Sequence, residues 1–160
     1  MTKKYRQPHE SYLTEWLGMN FPPGSWRTNV TVGKVKVPEN MSLLPEEYAN
    51  LREALGAQAD AMVFLPDQVI IVEAMIRHEP GVLEDLLKYK RLFFKDDTFE
   101  KYWSMPLRLL LLTPLDLGEY EKMAVDMGIE VVHYNPAWVQ AYLATYPRRA
   151  GRGKTSSVEF

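Results

Sequence analysis

Two carboxylates stand out against the largely apolar stretch from Val63 to Gly81. Asp60 lies just ahead of it, and Glu73 sits inside it, within the run Val-Ile-Ile-Val-Glu-Ala-Met-Ile. A glutamate in such a run is costly to bury unless something pairs with it. Glu73 is therefore a site residue, one partner in a structural ion pair, or a strand end reaching water. Carboxylate oxygens are hard ligands, and two that converge can hold a divalent cation such as Mg2+. Asp60 alone carries less information, because an aspartate ahead of an apolar strand is a common turn or capping residue. There are no cysteines, which excludes disulfides and thiolate zinc sites. His9, His78 and His133 are too scattered in sequence to suggest a histidine-rich metal site.

For Asp60 and Glu73 to meet, their strands must pair. Pro66-Asp67 is a turn signal that joins two strands into a hairpin, and the second strand, Val69 to Ile76, is apolar nearly throughout, as a strand covered on both faces requires. Alternation along it puts Glu73, Met75 and Arg77 on one face. Ahead of the hairpin, Tyr12, Leu13, Trp16 and Leu17 fall at helical spacing until Pro22-Pro23-Gly24. A strand follows from Trp26, with Gly33 as a bulge or bend after which Val35 and Val37 resume the alternation, and then a helix over Pro45–Leu55. Beyond the hairpin, the spacing predicts a helix with the stripe Val82, Leu86, Tyr89 and Phe93 and a buried strand through Leu109–Leu112. A helix closed by Gly128, a strand from Ile129 and a last helix with Val139, Tyr142, Leu143 and Tyr146 on one side complete the order. Strand-helix-strand-helix implies parallel pairing and the hairpin supplies an antiparallel part. The expected fold is α/β, a mixed central sheet flanked by helices, with one domain over residues 8–147 and a flexible basic tail over 148–160.

This order resembles the PD-(D/E)xK nuclease superfamily, whose restriction-endonuclease-like core is a helix, a three-strand meander, a helix, a strand, a helix and a strand. The match runs from about Ser11 to Tyr146, with the Pro45–Leu55 helix as an insertion. The resemblance implies that Asp60 and Glu73 are the acidic pair that binds Mg2+ or Mn2+, with an acidic residue of the first helix, Glu10 or Glu15, as a further ligand; Glu15 completes the candidate metal set. It also implies a site role for Tyr89, the tyrosine of the QxxxY motif of RecB-like members. The metal would activate a water and stabilise charge on a phosphodiester.

The sequence departs from the family at two positions. Met75 stands where the motif has lysine, and Asp85 where QxxxY has glutamine. Methionine carries no charge and no useful donor, and it reads as core filler. Losing one well-placed electrostatic stabiliser costs a rate factor on the order of 10²–10³. The resemblance thus implies a nuclease-fold protein that is catalytically inactive or impaired, a pseudoenzyme serving as a binding or assembly module, similar to accessory components of bacteriophages and other mobile elements. Its alternative is an active metal-dependent deoxyribonuclease with a relocated basic residue: Lys88 on the following helix, Arg77 along the strand, or Arg27, Lys34 and Lys36 on the first strand. A third reading is an unrelated α/β domain in which the spacing is coincidental.

Partners follow from charge. The net charge of −2 excludes a globally basic surface, so any DNA contact rests on local patches. Arg148, Arg149, Arg152 and Lys154 make the tail a candidate arm that docks a protein partner in a larger assembly. Lys88, Lys90 and Arg91 read as a solvated helix face, and Trp16, Trp26, Trp103 and Trp138 as core or interface anchors rather than base-stacking platforms. The start lacks an apolar signal segment and the longest apolar run, Leu109–Leu112, is far too short to cross a bilayer. The expected location is the host-cell cytoplasm, or a virion if the chain is phage-encoded, with no membrane partner.

Overall fold

The computed structural model describes residues 2–145 except position 36, and side chains from Pro8 onward except those at 53–55. Five strands form one mixed sheet in the order β1-β2-β3-β4-β5: β1 Trp26–Val32, β2 Ala57–Phe64, β3 Val69–Ala74, β4 Leu107–Thr113 and β5 Ile129–His133. β2 runs antiparallel to both β1 and β3, whereas β3, β4 and β5 are parallel. The helices are α1 Thr2–Asn20, α2 Pro45–Leu55, α3 Val82–Phe93, α4 Glu119–Asp126 and α5 over 137–145, with a short 3-10 helix over Asp97–Tyr102. The α/β class with a mixed sheet and the sequence of elements agree with the alternation and helical stripes of the chain. The 3-10 helix is an addition, since its six residues carry no period that the sequence makes legible.

All six residues of β3 are buried, as a central strand requires. Its alternation feeds two cores. Ile70, Val72, Ala74 and Ile76 pack with Tyr12, Leu13, Trp16 and Leu17 of α1 and Val139 of α5. Val69, Ile71 and Met75 pack with Val82, Leu83, Leu86, Tyr89 and Phe93 of α3 and Ala124 of α4. Burying each such Leu, Ile or Phe contributes about 1.5–3 kcal/mol relative to leaving it in water.

Three boundaries differ from expectation. α1 starts at Thr2, well before the apolar stripe, with Pro8 inside it. β3 stops at Ala74 rather than Ile76, although Met75 N still donates to Leu112 O at 2.8 Å before the chain turns away. β1 ends at Val32 and does not resume through Val35 and Val37. Gly33 explains that end. Its φ of +99° is the left-handed region that favours glycine, and an added Cβ would meet Leu92 at 3.1 Å. Its N–H leaves the ladder to donate to Asp96 Oδ2 at 3.0 Å.

Asp96 is a structural hub, 1% exposed. It accepts from Gly33 N, from Thr98 N at 3.1 Å and from the Arg52 guanidinium, which also reaches Gly33 O at 2.9 Å and Thr31 O at 3.2 Å. One ion pair thus ties α2, the end of β1 and the segment after α3 together. Removing the cation would strand a buried carboxylate, so Arg52→Met is expected to cost about 2–4 kcal/mol. The double variant Arg52→Met/Asp96→Leu should recover part of that loss; urea unfolding midpoints of the three proteins check it.

Candidate functional site

The site lies where β2 and β3 part. Their register runs from Phe64↔Val69 back to Ala61↔Val72 and stops, although both strands continue. The next pair in line is Asp60 opposite Glu73. Side chains take over the ladder bonds here: Asp60 N donates to Glu73 Oε1 at 2.9 Å, and Ala74 N donates to Asp60 Oδ2 at 2.9 Å. Each orphaned backbone donor is therefore satisfied by a carboxyl. The β1 side is interrupted at the same level. Thr28↔Ala61 and Val30↔Ala59 pair, and the Asn29 between them has a φ of 52°, which asparagine tolerates better than most residues.

His9 closes the seam from α1. Its Nε2–H donates to Ala74 O at 2.7 Å and stands 3.4 Å from Asp60 Oδ2. Burial pushes the imidazole pKa down, but the hydrogen bond and charge of Asp60, the Ala74 carbonyl and the Glu79 charge outweigh it, and the net shift is upward. A pocket of about 110 Å³ opens beside this pair, lined by His9, Glu10, Leu13, Thr14, Thr28, Asn29 and Asp60.

Glu73 is on the other side of the seam, between Ile71 and Met75 on the face that α3 covers, and does not line the pocket. It is 8% exposed. Burial first, then repulsion from Asp60, raises its pKa to about 9; the Asp60 N–H opposes this, while hydrogen bonding to the Asp60 carboxyl and the charge of Asp85 add to it. Burial and the neighbouring Asp60 carboxyl thus favour the protonated form of Glu73. Tyr89 stands next to it, with its hydroxyl donating to Gln58 O at 2.9 Å; burial and then the Glu73, Asp85 and Asp60 charges push the phenol pKa up.

The other candidate residues are dispersed. Glu15 accepts from Trp138 Nε1 at 2.8 Å and is tied to α5 rather than to the acidic pair. Glu10, the other acid of α1, lines the pocket. Lys88 is exposed on α3, and Arg77 lies in a bend past the end of β3. Met75 is fully buried, and its sulfur accepts from Glu79 N at 3.4 Å. Arg148, Arg149, Arg152 and Lys154 lie outside the described residues. His9 is the residue that sequence reasoning missed. The signal was there: it precedes Tyr12, Leu13 and Trp16 by three, four and seven positions, on the buried stripe of α1.

Among the described residues no group of three or more His, Asp or Glu side chains has an arrangement that could hold a metal ion. Asp60 Oδ2 and Glu73 Oε1 already accept backbone donors, and Glu73 does not line the pocket beside Asp60. The donor set as it stands does not fit a hard divalent ion, which takes about six oxygens, several of them charged.

Fold and site together define an α/β protein with a five-strand mixed sheet and a carboxyl pair at a strand divergence. The chain matches no family among known protein families, no curated protein and no solved structure.

The protonated Glu73 has a linkage consequence. Its folded pKa of about 9 lies above the ordinary 4.5, so the folded state binds the extra proton, and the stability this provides is lost as pH rises between those values. The raised pKa of His9 acts in the same direction. Glu73→Gln keeps a neutral side chain of the same shape and removes the Glu73 share. Thermal unfolding should show the variant gaining on the parent from about pH 5.5 to about pH 8.5, by at least about 1 kcal/mol at the upper end. A parallel pair of curves would mean that Glu73 is ionised in the fold.

Proposed function

We propose that this chain is a nuclease-fold protein of the PD-(D/E)xK type whose cleft no longer cuts and which works as a binding or assembly module. The observation that carries this reading is Met75. At the position where that motif places its lysine, the side chain is fully buried in the α3-side core, its sulfur held by Glu79 N–H. His9 reaches Asp60 from the α1 side, whereas Lys88 is exposed on the opposite layer. Asp85, at the position of the glutamine, adds negative charge near Glu73. Among the described residues the site carries surplus acid, and its histidine is already engaged with Asp60 and Ala74.

The topology supports the family half of the reading. A helix, an antiparallel meander of β1, β2 and β3, a helix, a parallel strand, a helix and a second parallel strand follow the core order of that superfamily, and Asp60 and Glu73 are neighbours across the β2/β3 seam. The alternative, an active Mg2+- or Mn2+-dependent deoxyribonuclease, rests on the same adjacency. A cleavage assay separates the two. With single- and double-stranded DNA and millimolar Mg2+ or Mn2+, the parent and Glu73→Gln should be equally silent. Cleavage by the parent that Glu73→Gln abolishes would overturn the proposal.

A further inference from the structure

The cations of this chain are unevenly used. Lys34, Arg52, Arg108 and Lys122 each hold a carboxylate. Lys88, Lys90, Arg91 and Lys95 are exposed, and none of them makes an ion pair among the described residues. These four fall within eight residues that contain no acid, on a chain whose net charge is −2. Val82, Leu83, Leu86, Tyr89 and Phe93 turn inward, which sets Lys88, Arg91 and Lys95 in a row on the outward face of α3 and its last turn, where Lys95 N still bonds Leu92 O at 3.1 Å. Phe94 lies beside that row, 40% exposed, with its ring edge-on to Phe93. An exposed aromatic ring among unpaired cations offers apolar contact and charge at one place.

We propose that this C-terminal face of α3 is a docking surface for an acidic segment of a partner protein, with Phe94 as its apolar anchor. The inference rests on the binding-module reading and names the partner's chemistry. Charge complementarity calls for an anion, and the surroundings limit its length. Glu84 and Asp85 begin the same helix, so a long polyanion tracking α3 would run from four cations onto two acids. The basic row is about 10 Å long at 1.5 Å per residue, close to the ~8 Å screening length at physiological salt. A short acidic segment thus feels the patch, whereas an extended phosphate backbone also feels the acidic remainder of the molecule. The surface belongs to the layer opposite α1, away from the pocket beside Asp60.

The test uses the full chain and two probes: a short poly-glutamate peptide carrying one phenylalanine, and a single-stranded oligothymidylate of equal charge. Amide shifts should move on the last two turns of α3 with the peptide, and binding should weaken as salt is raised. Arg91→Glu/Lys95→Glu, both exposed positions that leave the cores intact, should weaken peptide binding by about tenfold or more. Phe94→Ser should weaken it severalfold, while Gln140→Ala, at an exposed position of α5, should leave it unchanged. Absence of α3 shifts, indifference to the charge reversal, or tighter binding of the oligothymidylate at the same residues would each overturn the inference. None of these readouts depends on cleavage, so a failure here and a failure of the non-cutting reading can be told apart.

Discussion

The structure turns on a place where a sheet stops pairing. Between β2 and β3 the ladder ends at Ala61↔Val72, and the backbone donors just beyond it, Asp60 N and Ala74 N, would be left without partners inside the protein. A buried donor with no acceptor costs about 1–3 kcal/mol. The chain resolves this with two carboxyls, one from each strand, and the same solution creates the only strongly polar spot in the described sheet interior. Four features meet there: the raised pKa of Glu73, the imidazole of His9, the phenol of Tyr89 and the pocket beside Asp60.

The two apolar layers hold this seam from both sides. α1 and α5 cover one face, while α3 and α4 cover the other. His9 connects the first layer to the end of β3 through the Ala74 carbonyl, and Tyr89 connects the second to β2 through the Gln58 carbonyl. Both helices thus meet the seam by donating to a backbone oxygen of one of its strands. The Arg52–Asp96 pair does comparable work at the far end of β1, where Gly33 turns the chain out of the sheet. Polar groups in this fold are concentrated where strands end, because that is where backbone groups lose their ladder partners.

The carboxyl pair sets the electrostatics of the seam. Repulsion between the neighbouring carboxyls raises the pKa of Glu73, and His9 nearby is already engaged with Asp60 and Ala74. The binding-module reading follows from that balance. It places contact with partners on outer surfaces and leaves the seam as an internal brace.

Much of the fold was legible in the sequence. Period-two runs and helical stripes located the strands and helices in order, and Pro66-Asp67 marked the hairpin that brings Asp60 and Glu73 to adjacent strands. Gly33 was legible as a bulge or bend, and it is the bend at which the chain leaves the sheet, because its N–H answers to Asp96, a residue on the other side of α3 in the chain. The type of residue at position 75 was plain from the sequence, and so was the absence of a lysine there. Tertiary structure alone decided that Glu73 is buried, that His9 rather than Glu15 faces Asp60, and that Glu15 answers to Trp138. Local periodicity tells which side of a strand or helix a residue occupies. Which distant backbone donor or acceptor it satisfies depends on where two strands stop pairing, and that is settled only when the layers pack.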